Sequence, residues 1–136
     1  MRIVVEEGAY TPVRAHKTDA GLDLRTPYSF RMLHGTSAVV DTGVHIEIPK
    51  GYYGKLESKS GLNVNHSIVS LGGTIDEGYT GSIKVKLYNL GEDYTFKEGD
   101  KIVQFILQPY IAPELEIVDK LDDTERGSDG FGSSGR

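Results

Sequence analysis

The chain has no cysteine, which excludes disulfides and thiolate-held metals. It has no tryptophan either, and no obvious platform for a sugar, so a sugar-binding module ranks last among the readings. No apolar run approaches the length needed to span a membrane. The short apolar run Arg2 to Val5 meets Glu6 and Glu7 at once, which is not the pattern of a signal peptide. A cytoplasmic or otherwise intracellular protein with no membrane partner is expected. Positive charge is scarce: 15 Lys and Arg stand against 20 Asp and Glu, for a net charge of −5. Broad binding to a nucleic-acid backbone needs a basic surface, so no nucleic-acid partner is expected. A small phosphorylated ligand needs only a few placed cations and stays open.

What is plentiful is glycine and tyrosine, 17 and 8 residues, which favours strands and turns over helices. A length of 136 residues suits one domain with a sizeable core. Alternating stretches predict strands at Arg2 to Glu6, Val44 to Ile48, Tyr52 to Glu57 and Ser82 to Asn89. Lys101 to Gln108 is apolar on both faces and is expected as a central, buried strand. Pro109 and Pro113 confine the next segment, Glu114 to Val118, to an edge strand. Leu62 to Ser67 suggests one short helical turn with Ser60 as its N-cap. Together these predict an all-β jelly roll or distorted β-barrel.

Two stretches carry chemistry. Leu71 to Ile83 reads as a β-hairpin, with Asp76 at its entry and Tyr79 near its apex. Asp-Glu-Gly at 76–78 is turn chemistry, and Gly72 and Gly73 let a flat ligand approach the backbone. Ser58 to Leu62 offers a cation, two hydroxyls and an uncluttered amide, the groups that hold a phosphate. Either stretch alone is also a common surface turn. Gln104 is a polar residue in an apolar run, either a satisfied core amide or the wall of a ligand site. The last eleven residues, Arg126 to Arg136, hold seven Gly or Ser and cannot bury enough apolar area to fold alone. A single Phe131 between two arginines suits an arm that orders over a ligand. The expected division is therefore a barrel over 1–125 and a flexible C-terminal arm over 126–136.

Five short motifs, in order along nearly the whole chain, resemble those of the homotrimeric dUTP pyrophosphatases, the dUTPases. They are Ala20-Gly-Leu-Asp-Leu24, Ser58-Lys-Ser-Gly-Leu62, Gly73-Thr-Ile-Asp-Glu-Gly-Tyr-Thr-Gly81, Gly99-Asp-Lys-Ile-Val-Gln104 and Arg126-Gly-Ser-Asp-Gly-Phe-Gly-Ser-Ser-Gly135. The resemblance implies hydrolysis of dUTP to dUMP and pyrophosphate, with Mg²⁺ bound mainly to triphosphate oxygens and water rather than directly by the protein. It also implies a homotrimer with shared active sites. By the same resemblance, Asp76 orients and activates the attacking water, and Tyr79 packs on the deoxyribose. The backbone from Gly73 through Thr74 and Ile75 to Lys84 reads the uracil edge. Ser60, Gly61 and Gln104 contact the phosphates, and Asp23 belongs to the phosphate and metal region. Arg126 meets the γ-phosphate, Phe131 stacks on uracil, and Gly132, Ser133 and Ser134 line the phosphates. The second motif departs from the family's usual Pro-Arg-Ser-Gly: Lys59 keeps the charge without the two-pronged donor geometry.

Two rivals share the scaffold. A dCTP deaminase would carry a catalytic Glu ten residues after Asp76, where this chain has Lys86. A non-catalytic nucleotide sensor would have no need to keep Asp76, Tyr79 and the full arm. On this reading the arm serves catalysis and not folding. A chain ending at Glu125 should keep its thermal stability and oligomeric state and lose most of its activity, as scanning calorimetry, sedimentation and pyrophosphate release would each register.

Overall fold

The structure is a computed structural model, and it describes residues 1–128. Eleven strands and one helix occur among them: β1 (Ile3–Val5), β2 (Gly21–Arg25), β3 (Phe30–Met32), β4 (Ser37–Asp41), β5 (Val44–Ile46), β6 (Tyr52–Ser58), α1 (Ser60–His66), β7 (Ile68–Ser70), β8 (Thr74–Ile75), β9 (Lys84–Asn89), β10 (Tyr94–Phe96) and β11 (Lys101–Pro109). All pairings are antiparallel, in four small sheets ordered β1-β5, β10-β3, β2-β11-β6-β8 and β4-β9-β7. The fold is all-β, of jelly-roll type. No described helix is long and apolar enough to cross a membrane.

The alternation read in the sequence explains the core. In β9 the side chains of Val85, Leu87 and Asn89 turn inward while Lys84 and Lys86 face out. Leu24, Ile83, Val85, Phe96 and Val103 are fully buried in one cluster with Phe105, Ile102 and Ile68. β11 lies between β2 and β6, as its two-sided apolar pattern requires. Its ladder with β6 runs from Val103↔Ser58 to Pro109↔Tyr52, the longest register in the molecule among described residues.

Three expectations are corrected. The predicted hairpin is not one: β8 pairs with β6, whereas β9 pairs with β4 and β7. The turn between β8 and β9 therefore crosses from one sheet to another. The helix begins at Ser60, so Ser60 is its first residue; Lys59 occupies the cap position and makes no side-chain cap bond. Lys59 has the extended backbone usual for that position, and its side chain reaches Asp23. Glu114 to Val118 forms no strand. Its alternating apolar side chains, Leu115 and Ile117, are 92% and 99% exposed, because no sheet edge of this chain meets them.

One buried charge ties the main sheet together. The Asp23 carboxylate, almost wholly buried on β2, accepts from Lys59 Nζ at 2.5 Å and from Lys101 Nζ at 2.6 Å. Burial pushes the Asp23 pKa up, but the hydrogen bonds from Lys101 and Lys59 and their charges hold it below the ordinary value of 3.8. Both lysine side chains keep some contact with solvent, so the cluster is only partly desolvated. Replacing Asp23 by Ala should lower stability by about 1.5–3 kcal/mol, the usual worth of hydrogen bonds to a charged group. A depressed carboxylate stabilises above its unfolded pKa. That stabilisation should be lost as pH falls below about 3.8, through the lower folded value. Urea midpoints of the native chain and the Ala variant should stay apart at neutral pH and draw together as pH falls below about 3.8.

Candidate active site

The segment from Gly72 to Ser82 is held at its entry by backbone. Gly73 has φ +113, and a Cβ there would lie 2.6 Å from Leu56 Cβ, so only glycine lets this strand close on β6. Its carbonyl accepts from the Leu56 amide at 2.7 Å. Beyond β8 the chain folds into a turn in which the Tyr79 amide donates to the Asp76 carbonyl at 3.1 Å.

The two neighbouring carboxylates in this turn do different work. Glu77 accepts from the Gly51 amide at 2.7 Å and from the Tyr110 hydroxyl at 3.0 Å. These bonds, Gly51 first, hold its carboxyl below the usual range. Tyr110 correspondingly rises, chiefly through its bond to Glu77. Asp76, by contrast, takes no side-chain hydrogen bond or ion pair from any described residue. Its side chain is exposed on the rim of two hollows. One, of about 190 Å³, is lined by Thr74, Ile75, Asp76, Tyr79 and Lys84. The other, of about 350 Å³, shares Thr74 and Asp76 and adds Tyr53, Glu77 and Tyr110.

Tyr79 is fixed by its tip: the phenol donates to the Ser82 carbonyl at 3.0 Å. Its ring lies over Gly81, where a Cβ would approach the phenol oxygen to 2.4 Å. The absent side chain at 81 thus gives the ring its seat. Beyond it, Ser82 bonds Asp41 through its hydroxyl, and Lys84 Nζ stands 3.9 Å from the same carboxylate. That pairing with Ser82, then the Gly43 amide and Lys84, lowers the Asp41 pKa against partial burial.

The chain thus brings Thr74, Ile75, Asp76, Tyr79 and Lys84 together, with Gly73 behind them. It does not bring the other predicted residues to the same place. Ser60 and Gly61 are exposed where β6 runs into α1, and Lys59 and Asp23 are paired beside them. Gln104 faces Asp23 on β2 and Glu57 on β6 in the ladder, half-buried, at this same end. Ile75 pairs with Gly54, near the start of β6. At about 3.3 Å per residue, the Ile75 end and the Ser60 end of the strand are separated by roughly 20 Å. Arg126 is exposed; Phe131, Gly132, Ser133 and Ser134 lie outside the described residues. Sequence reasoning missed Lys101, Glu77 and Tyr110. Lys101 stands inside the fourth motif and Glu77 beside Asp76, so both were within reach; Tyr110 carried no signal.

Comparison with known proteins places the chain in a family. A family model described as dUTPase matches residues 8–135. The deoxyuridine 5'-triphosphate nucleotidohydrolase of Mus musculus is 43% identical over 133 residues, covering 97% of this chain and 82% of that protein. The mitochondrial one of Homo sapiens is also 43% identical over 133 residues, but this chain spans only 53% of its length. Among solved structures, the Staphylococcus bacteriophage 80alpha dUTPase with dUPNHPP superposes with a TM-score of 0.90 at 31% identity, covering 99% of this chain and 98% of the other. A mutant dUTPase from phage phi11 of S. aureus, described as coordinating a structural Mg(II) ion, matches with a TM-score of 0.83 at 29% identity over 90% and 98%. With a family match over almost its whole length and close relatives of one kind, the chain belongs to the dUTPase family.

Proposed function

We propose that the protein hydrolyses dUTP to dUMP and pyrophosphate, by attack of water on the α-phosphorus. The observation that carries this reading is the contrast between Glu77 and Asp76. Glu77 is tied to Gly51 and Tyr110, while Asp76 keeps its carboxylate for a ligand on the rim of the Thr74, Ile75, Tyr79 and Lys84 hollow. A base for in-line attack needs that availability together with a fixed backbone, and the Tyr79-to-Asp76 turn bond supplies the second.

In this reading Tyr79, held by Ser82 and seated on Gly81, packs against the deoxyribose and leaves no room for a 2′-hydroxyl. The amides and carbonyls from Gly73 to Lys84 read uracil. Cytosine offers a donor where uracil offers an acceptor, so a fixed backbone group would be left unpaired. Ser60, Gly61 and Gln104 take the phosphates, with Lys59 as a point charge released from Asp23. Arg126 joins them from the arm, whose division from the barrel at Glu125 is part of the proposal, as are the roles of Phe131, Gly132, Ser133 and Ser134.

Magnesium fits as an ion carried by the triphosphate. No three His, Asp or Glu side chains converge on one point among the described residues, and Asp23 is already neutralised by two lysines. Bound there with its waters, Mg²⁺ would neutralise charge on the phosphate oxygens. The separation of the Asp76 hollow from the Ser60 end of β6 supports active sites shared between chains, because both are proposed to serve the α- and β-phosphates of one nucleotide; the homotrimer itself follows from the family resemblance.

Replacing Asp76 by Asn removes the base and keeps the shape. Turnover of dUTP should fall by about 10²- to 10⁴-fold, while binding of a non-hydrolysable dUTP analogue persists. Pyrophosphate release and isothermal titration give the two readings. Near-normal turnover in the Asn variant would remove Asp76 from the role.

A further inference from the structure

The turn that carries Tyr79 has an outside anchor that none of the five motifs contains. His45, on β5, places Nδ1 2.8 Å from the carbonyl oxygen of Thr80 and Nε2 2.9 Å from a carboxylate oxygen of Glu6. Both partners are acceptors. A neutral imidazole has one N–H and can satisfy only one of them, leaving its other lone pair against an oxygen. The doubly protonated ring satisfies both.

The charges around the ring favour the same state. Glu6 lies beyond β1 and Asp41 at the end of β4, with Lys84 beside Asp41 at 3.9 Å. Arg2 and Glu47 border the same groove and are paired with each other. The bond to Glu6, then that to Thr80, and the charges of Glu6 and Asp41 raise the His45 pKa above its usual 6.5, outweighing slight desolvation.

We infer that His45 is a positioning residue for the Tyr79 turn: as an imidazolium it clamps the Thr80 carbonyl to Glu6 and so fixes the ring proposed to face the deoxyribose. The inference rests on the functional reading of Asp76 and Tyr79. The clamp is complete below the raised His45 pKa and opens as pH rises through it, because the neutral ring must release Thr80 or face Glu6 with a lone pair. His45 is not among the residues that line the Asp76 and Tyr79 hollow. Its loss acts through Tyr79, so it should weaken binding more than it slows the chemical step.

Two measurements test this on the full chain. The first is an NMR titration of the free protein between pH 5.5 and 9. The His45 ring should titrate above 6.5, and the amides of Tyr79, Thr80 and Gly81 should shift with the same midpoint. In the Glu6→Gln variant that shared midpoint should move to lower pH. The second is KM for dUTP across the same range. The native chain should show about a two- to fivefold rise through the midpoint, and His45→Gln should show no such step. Ionisation of the nucleotide is common to both chains and cancels in their ratio. Amides that ignore the His45 titration, or a KM step that persists in His45→Gln, would overturn the inference. Absence of dUTP turnover in the native chain would instead sink the functional reading, and the titration would still decide whether the clamp exists.

Discussion

Both halves of the proposed site are referred to β6. Its ladder with β11 runs the length of the strand, and its other edge receives β8 for only two residues. That asymmetry has a consequence for chemistry. The short β8 leaves the backbone free after Ile75, where the chain turns through Asp76 and Tyr79 and crosses to the other sheet. The far end of β6 runs straight into Lys59, Ser60 and Gly61. One strand thus carries the two halves of the proposed site and keeps them roughly 20 Å apart. A rigid ladder cannot bend to bring them together, which is why the proposed nucleotide site is shared between chains.

Charge is arranged to suit a polyanion on a protein of net charge −5. Many exposed carboxylates are already engaged: Glu47 with Arg2, Asp93 with Arg31, Glu77 with Gly51 and Tyr110. At the end proposed to take the phosphates, two lysines share one buried aspartate, an excess of one positive charge in that cluster beside Ser60 and Gly61. Exchange of Asp23 for a phosphate oxygen is a modest rearrangement for a flexible lysine. An arginine in place of Lys59 would bind either partner through two prongs and be harder to move.

The sequence made the central strand legible because burial on both faces leaves an unmistakable run at Lys101 to Gln108. It made the Asp76 turn legible because turn chemistry and alternation meet there. The supposed hairpin failed for a physical reason: alternation reveals that a strand has two faces, not which strand lies beside it. β8 and β9 are neighbours in sequence yet paired elsewhere. Glu114 to Val118 has the pattern of a strand but no partner edge in its own chain, and a pattern cannot supply one. Ser60 was misplaced by one position because Lys59 stands at the cap without a side-chain cap bond, so no capping side chain marks the start. His45 and Tyr110 were invisible as site residues, since their partners stand 35 and 33 positions away.

The central claim is that one nucleotide is held by halves from different chains. It is tested by mixing two inactive variants. Asp76→Asn lacks the base. Ser60→Asp places a carboxylate among the phosphate contacts, at an exposed first helical position where an acidic residue suits the helix. Each alone should release little pyrophosphate from dUTP. After subunit exchange, verified by mass spectrometry, the mixture should recover a substantial fraction of native activity, because some sites then combine an intact Asp76 from one chain with an intact Ser60 from another. A verified mixture that stays as inactive as its parents would contradict the account and put the whole site on a single chain.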